Sequence, residues 1–163
     1  MRSKIHNGSA DFHCLHCGYP VSANSILSAV GHRNHCPYCL WSRHLDLLAA
    51  GDRLSACKAP MRPLGLTVKR SNKKYKQLGS GELMLVHICT DCGRVSLNRI
   101  AADDDVDCLL ETFERSLGLD QPTRSGLAQS GIKLLNLMDA ESVRLALFGW
   151  SSRIETRLEL QSL

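Results

Sequence analysis

Large rings are scarce in this chain: Phe, Trp and Tyr make up 5% of its 163 residues. A core built mainly on aromatic packing is therefore excluded for much of its length, and small units with thin cores draw stability from metal ions or crosslinks instead. Long apolar runs are also missing. No stretch approaches the eighteen or so residues of a membrane span, and the first fourteen residues carry Arg2 and Lys4 without the apolar segment of a secretory leader. A cytoplasmic protein with no membrane association is expected. The length excludes the common large catalytic barrels and allows one ordinary domain or two small ones. With 44% hydrophobic and 22% charged residues the chain is neither disordered by composition nor fibrous. It has no low-complexity tract.

Cysteine is the residue present in excess, with eight copies, six of them in the pairs Cys14-x-x-Cys17, Cys36-x-x-Cys39 and Cys89-x-x-Cys92. In a reducing compartment such thiols bind metal rather than oxidise. Each pair curls through a short turn that aims both sulfurs at one ion, so Cys14, Cys17, Cys36 and Cys39 form a first tetrahedral zinc site. Four thiolates leave no open position for water or substrate, so this zinc is structural and not hydrolytic. The second site has three sulfurs, Cys57, Cys89 and Cys92, and needs a fourth ligand. His44 is favoured over His87 or a water, with Asp46 close enough in sequence to orient its imidazole. His87 sits in an expected strand two residues before Cys89, which aligns it with that cysteine's face but short of the turn. Two zinc ions are the cofactors expected. Cys108 reads as a small apolar residue. His13, His16, His32 and His35 crowd the first site and, with Arg33, are expected to make hydrogen bonds or to neutralise part of the thiolate cluster's charge.

Coarse structure follows from patterning. Strands are expected at Leu64–Lys69, Leu83–Ile88 and Val95–Ile100, with a basic turn from Arg70 to Gly81 and left-handed glycines at Gly18 and Gly93. Val106, Leu109, Leu110, Phe113 and Leu117 mark one helical face, opened by the acidic run Asp103–Asp105, which is assigned to capping rather than chemistry, and closed by Gly118. Residues 121–131 read as a linker because of Pro122 and two glycines, and Asp139 as the cap of a second helix ending at Gly149. The expected fold is a small zinc-stabilised α+β unit over residues 1–105, with two sites of zinc-ribbon or treble-clef type and β-hairpins, followed by a helical segment over 106–163.

The string Arg33-Asn34-His35-Cys36-Pro37 resembles the signature of the RNHCP domain family. The similarity continues through Cys14-x-x-Cys17-Gly18, Cys39-Leu40-Trp41-Ser42-x-His44-x-Asp46, Gly51-Asp52-Arg53, Cys57, Met61-x-Pro63, Cys89-x-x-Cys92, Asn98-Arg99 and Asp103-Asp104, covering about residues 11 to 105. The resemblance implies a small zinc-binding module without an assigned activity, and it adds weight to His44. Residues 69–76 and the C-terminal segment depart from the family pattern.

Charge suggests a partner. Residues 1–104 carry a net +7 and residues 105–163 a net −3; thiolate ionisation on binding two Zn²⁺ lowers the first figure to about +4. The cations concentrate in Lys69, Arg70, Lys73, Lys74 and Lys76 around Tyr75, a finger suited to phosphates with a ring able to stack on a base. A non-enzymatic module that binds nucleic acid, RNA or the ribosome ahead of DNA, is the leading expectation. One rival is a protein-interaction adaptor acting through the C-terminal helices. A metal-dependent nuclease, suggested by His32, Asn34 and His35, is disfavoured because the eighteen residues between the zinc pairs are too few for its catalytic hairpin and helix.

Overall fold

The structure, a computed structural model, describes residues 10–70 and 81–149. Short strands β1 (Phe12–His13) and β2 (Pro20–Val21) pair antiparallel, with Phe12 opposite Val21. A single helical turn α1 (Ser25–Ser28) follows, capped by the Asn24 side chain on the Ile26 N–H. A second sheet runs in the order β3 (Ser42–Arg43), β4 (Pro60–Arg70), β5 (Gly81–Cys89) and β6 (Val95–Arg99). β3 is antiparallel to β4, with Ser42 opposite Met61. Then come α2 (Val106–Leu117), α3 (Gln121–Gln129), a 3₁₀ turn at Leu137–Asp139 and α4 (Ala140–Phe148).

The chain divides into two compact units. One holds residues up to Pro63 together with Leu85–Asp105; the other holds Leu64–Met84 and everything from Val106 on. β4 and β5 thus contribute residues to both. The first unit buries Val21, Leu40, Met61, Leu85 and Val86, and the second buries Leu64, Leu66, Leu109, Phe113, Leu134 and Val143. No Phe, Tyr or Trp other than Phe113 is buried among the described residues, in keeping with their scarcity in the composition.

All three expected strands are present: β4 starts four residues earlier than expected, at Pro60, and runs on to Arg70, β5 runs from Gly81 to Cys89, and β6 stops one residue sooner, at Arg99. The α2 periodicity is right to the residue at both ends, but the buried face also takes in Thr112 and Ser116. The reason is Gly65 on β4. A Cβ placed there would lie 2.8 Å from Ser116 Cβ and 3.1 Å from Leu134 Cδ2, so a strand glycine and a helix serine let backbones approach closely. Gly65→Ala should therefore destabilise the second unit by about 1–3 kcal/mol through overpacking, read as a lower denaturant midpoint with metal content unchanged.

Two expectations in the C-terminal half are corrected. Residues 121–129 are helix and not linker: Asp120 accepts the Thr123 N–H at 2.7 Å as N-cap, and Pro122 lies in the first turn, where its missing N–H costs nothing. Asp139 makes no side-chain capping bond to α4; its carboxylate accepts the Asn136 N–H while Asn136 accepts that of Met138, so the capping box serves the 3₁₀ turn instead. Gly149 does terminate α4 in the left-handed conformation, φ 73°.

Candidate metal centres

Three turns of the first unit share one backbone pattern. Cys14 N–H donates to Tyr19 C=O and receives at its own C=O the N–H of Gly18; Cys36 does the same with Trp41 and Leu40, and Cys89 with Arg94 and Gly93. Wrapping a chain this tightly around two sulfurs forces the fourth residue past the first cysteine into positive φ: 77° at Gly18, 61° at Leu40 and 71° at Gly93. Glycine supplies this at two of the turns without strain. At the third, Leu40 is fully buried, and its side-chain packing offsets a left-handed backbone that costs about 1–2 kcal/mol.

These turns bring Cys14, Cys17, Cys36 and Cys39 together in one cluster and His44, Cys57, Cys89 and Cys92 in another, each set with its donor atoms within 4.8 Å of one another. In the first, Cys14 and Cys39 sulfurs lie 3.6 Å apart, as do those of Cys17 and Cys36. In the second, Cys57 and Cys89 sulfurs are 3.6 Å apart, and Cys92 Sγ is 3.3 Å from His44 Nδ1. A disulfide needs about 2.05 Å, whereas sulfurs around a tetrahedral ion with bonds of about 2.3 Å stand about 3.8 Å apart. The spacing fits ions and excludes disulfides. The thiols of the first cluster influence one another: burial pushes Cys36 up to about 11 and Cys39 higher still, whereas for Cys17 burial is outweighed by hydrogen bonds from the backbone at Tyr19 and from the other thiols, which lower it. A cation is what allows such packed sulfurs to ionise.

His44 reaches its cluster because its N–H donates to Ala59 C=O beside the β3–β4 pairing, which fixes the backbone next to Cys57. Its Nδ1 faces the sulfurs and its buried Nε2 has no hydrogen-bond partner among the described residues. Asp46 does not orient this ring, contrary to expectation. Its carboxylate accepts Asn34 Nδ2 and the Gly51 N–H, both at 2.8 Å, and the Arg53 N–H at 3.2 Å. His87 is excluded as a ligand by its own bonds: Nε2 donates to Leu40 C=O at 2.6 Å and Nδ1 accepts from Asn98 Nδ2 at 2.8 Å. Burial, with help from His35, drives its pKa down to about 3, so it is neutral. His44→Ala should abolish metal retention at the second cluster, whereas His87→Ala should keep both ions while losing about 2–4 kcal/mol of stability through a cavity and unpaired groups. Chelator-driven metal release from the two variants distinguishes them.

The five-residue string around Cys36 works as a set of clasps. Arg33 donates to Asp103 at 2.6 and 2.8 Å and to Asp104 at 3.2 Å; its Nε has no partner among the described residues. His35 Nε2 donates to Asp104 at 2.8 Å, and Asp104 also takes the Ala101 N–H. Asn34 holds Asp46 and bonds Arg53. The acidic run at 103–105 is therefore not chiefly a helix cap: two of its carboxylates anchor the string. Asp52 organises the neighbouring loop, and the N–H groups of Leu54, Ala49, Leu47 and Leu48 hold its carboxyl well below the usual range.

Sequence reasoning missed a cavity of about 500 Å³ in the first unit, whose wall includes His13, His16, His32, Trp41, Arg43 and Arg53. Of the four histidines expected to hydrogen-bond around the first cluster or neutralise part of its charge, His35 bonds Asp104; the imidazoles of His13, His16 and His32 have no hydrogen-bonding partner among the described residues, although His16 stacks on Trp41 at 4.2 Å. Cys108 is half-buried on α2 and lies outside both clusters. Of the proposed basic finger, Lys69 is an exposed residue of β4 and Arg70 ends that strand, while Lys73, Lys74, Tyr75 and Lys76 lie outside the described residues. No helix among the described residues is long and apolar enough to cross a membrane.

The family model of the RNHCP domain matches residues 9–110, and the chain belongs to that family. No curated protein and no solved structure matches it.

Proposed function

We propose that this member of the RNHCP domain family is a non-catalytic, cytoplasmic module with two structural zinc ions that binds nucleic acid, RNA or the ribosome in preference to DNA. The observation that supports this reading is the occurrence of two closed donor sets in a chain whose sequence carries five cations between residues 69 and 76. All eight ligands are used in two sets of four, so a bound ion keeps no open face for substrate. Seven sulfurs and one imidazole nitrogen are a donor set that suits Zn²⁺ over harder divalent ions. The cysteine turns at the tips of paired strands resemble a zinc ribbon more than a treble clef, since α1 is a single turn and carries no ligand.

β5 ends at Cys89, and the basic run 69–76 starts at the last two residues of β4 and continues in the sequence between β4 and β5. Phosphate contacts by such a run give affinity with little base readout. Changing Lys73, Lys74 and Lys76 together to alanine should weaken RNA binding without changing zinc content. Its log–log salt slope should flatten by about 0.7 to 0.9 for every phosphate that is no longer neutralised. Titration of RNA and DNA across a salt series checks this; unchanged affinity and slope would remove the finger.

A protein-interaction adaptor is the second reading, favoured by one observation: Leu137 and Met138 are 72% and 90% exposed beside half-exposed Leu145 on α4. Salt-insensitive binding of a protein partner, abolished by Met138→Glu, would support it.

A further inference from the structure

The geometry points to the cavity of the first unit as a site for one nucleoside monophosphate, either free or as an unstacked residue of single-stranded RNA. The choice of a nucleotide among phosphorylated ligands rests on the nucleic-acid reading above; the site itself rests on the cavity. About 500 Å³ is within the range of small-ligand pockets, which run from about 300 to 1,000 Å³. Its wall contains three histidines and three arginines, no Asp or Glu, and Cys14 of the first cluster, so the arginines supply positive charge and the imidazoles supply N–H donors for an anion.

The arginines of the wall are not equally available. Arg33 is taken up by Asp103 and Asp104, and Arg53 bonds Asn34 with Asp46 at 4.0 Å. Arg43 uses only Nε, donating to Lys58 C=O at 2.9 Å, which leaves its terminal nitrogens without a partner among the described residues. His13, His16 and His32 are exposed and equally unengaged in hydrogen bonds. They do not converge closely enough to share a metal ion, for the only His/Cys/Asp/Glu clusters among the described residues are the two metal centres. Separated imidazoles and a free guanidinium end suit the dispersed oxygens of a phosphate ester.

A flat group has its own place. His16 and Trp41 stack with centroids 4.2 Å apart and planes 6° from parallel, so the wall offers an aromatic surface on which a base can stack. His32 is held at the cavity by the loop opposite: Gly51 comes so close that a Cβ would lie 2.7 Å from its ring. The loop conformation that permits this is fixed by Asp46 and Asp52, both anchored on backbone N–H groups. The anion-facing residues are thus carried on a braced frame rather than on isolated loops.

The test is calorimetric titration of the full zinc-loaded chain with adenosine 5′-monophosphate, with inorganic phosphate, and with an oligoadenylate octamer. Wild-type protein should bind one equivalent of the mononucleotide, more tightly than inorganic phosphate. The double variant His13→Ala/His32→Ala should bind it at least about tenfold more weakly, with both zinc ions retained as proof of folding. The Lys73/Lys74/Lys76 alanine variant should bind the mononucleotide as wild type does. An octamer that competes with the mononucleotide identifies RNA as the source of the ligand; mononucleotide binding without octamer binding supports the cavity and removes the nucleic-acid reading. Failure of the mononucleotide to bind, binding no tighter than that of inorganic phosphate, or equal binding by the histidine variant overturns the site. Octamer binding that responds to the lysines alone and leaves mononucleotide binding unchanged overturns RNA as the source of the ligand, while leaving the basic finger in place.

Discussion

Cys14→Ser and Cys89→Ser should each lower the metal content from two ions to one, and each should unfold the part of the first unit that its cluster holds. The expected effect is the largest of any single substitution. Binding of a structural zinc is worth about 10–16 kcal/mol near neutral pH, and that binding energy is folding energy where the apolar core is thin. Among the described residues, the first cluster packs Val21 with Phe12 and Trp41 around its sulfurs, and the second Ala59 and Met61. Neither set of side chains is large enough to hold three cysteine turns in shape without an ion. Native mass spectrometry counts the ions and circular dichroism reports the unfolding. A serine variant that kept both ions and its fold would mean that the donor sets are wrongly assigned.

Arg33→Met should destabilise the chain by about 3–5 kcal/mol, the cost of removing one partner from a buried ion pair and leaving the other charged. The Arg33 and Asp104 side chains are both 0% exposed, whereas Asp103 is 37% exposed. Asp103→Asn should accordingly cost far less, about 1 kcal/mol or below, since water screens and can replace that partner. The Arg33 N–H groups hold the Asp103 carboxyl below the usual carboxylate range. Its folded pKa is depressed, so its contribution is present above its unfolded value of about 4 and disappears as pH falls through the folded one. Denaturant midpoints of the two variants give the ratio; equal losses would show that exposure does not govern this network.

The metal donors were legible because cysteine spacing constrains geometry directly: two residues between thiols set the turn, whatever surrounds it. The strands and α2 were legible for a related reason, since their periodicity is local. What escaped were features set by residues distant in sequence. Leu40 occupies a position that glycine fills at Gly18 and Gly93, and only its burial explains the difference. Asp104 looks like a helix cap in sequence because Val106 follows, but its partners Arg33 and His35 stand about seventy residues earlier. Asp46 lies two residues from His44 and yet serves the loop at Gly51 and Arg53. Pro122 was misread because a proline that breaks a helix interior is favoured in its first turn, and Asp120 is the residue that tells the two apart.

The central claim is that eight residues close two tetrahedra with nothing left over, and zinc K-edge X-ray absorption on the purified chain tests it most directly. Two zinc ions per chain should be found, their combined shells made of seven sulfurs and one nitrogen. Zn–S distances of about 2.3 Å and a Zn–N distance of about 2.0–2.1 Å are expected, with no oxygen neighbour. A single ion per chain, or a fit that requires a water in place of the imidazole, would contradict the account.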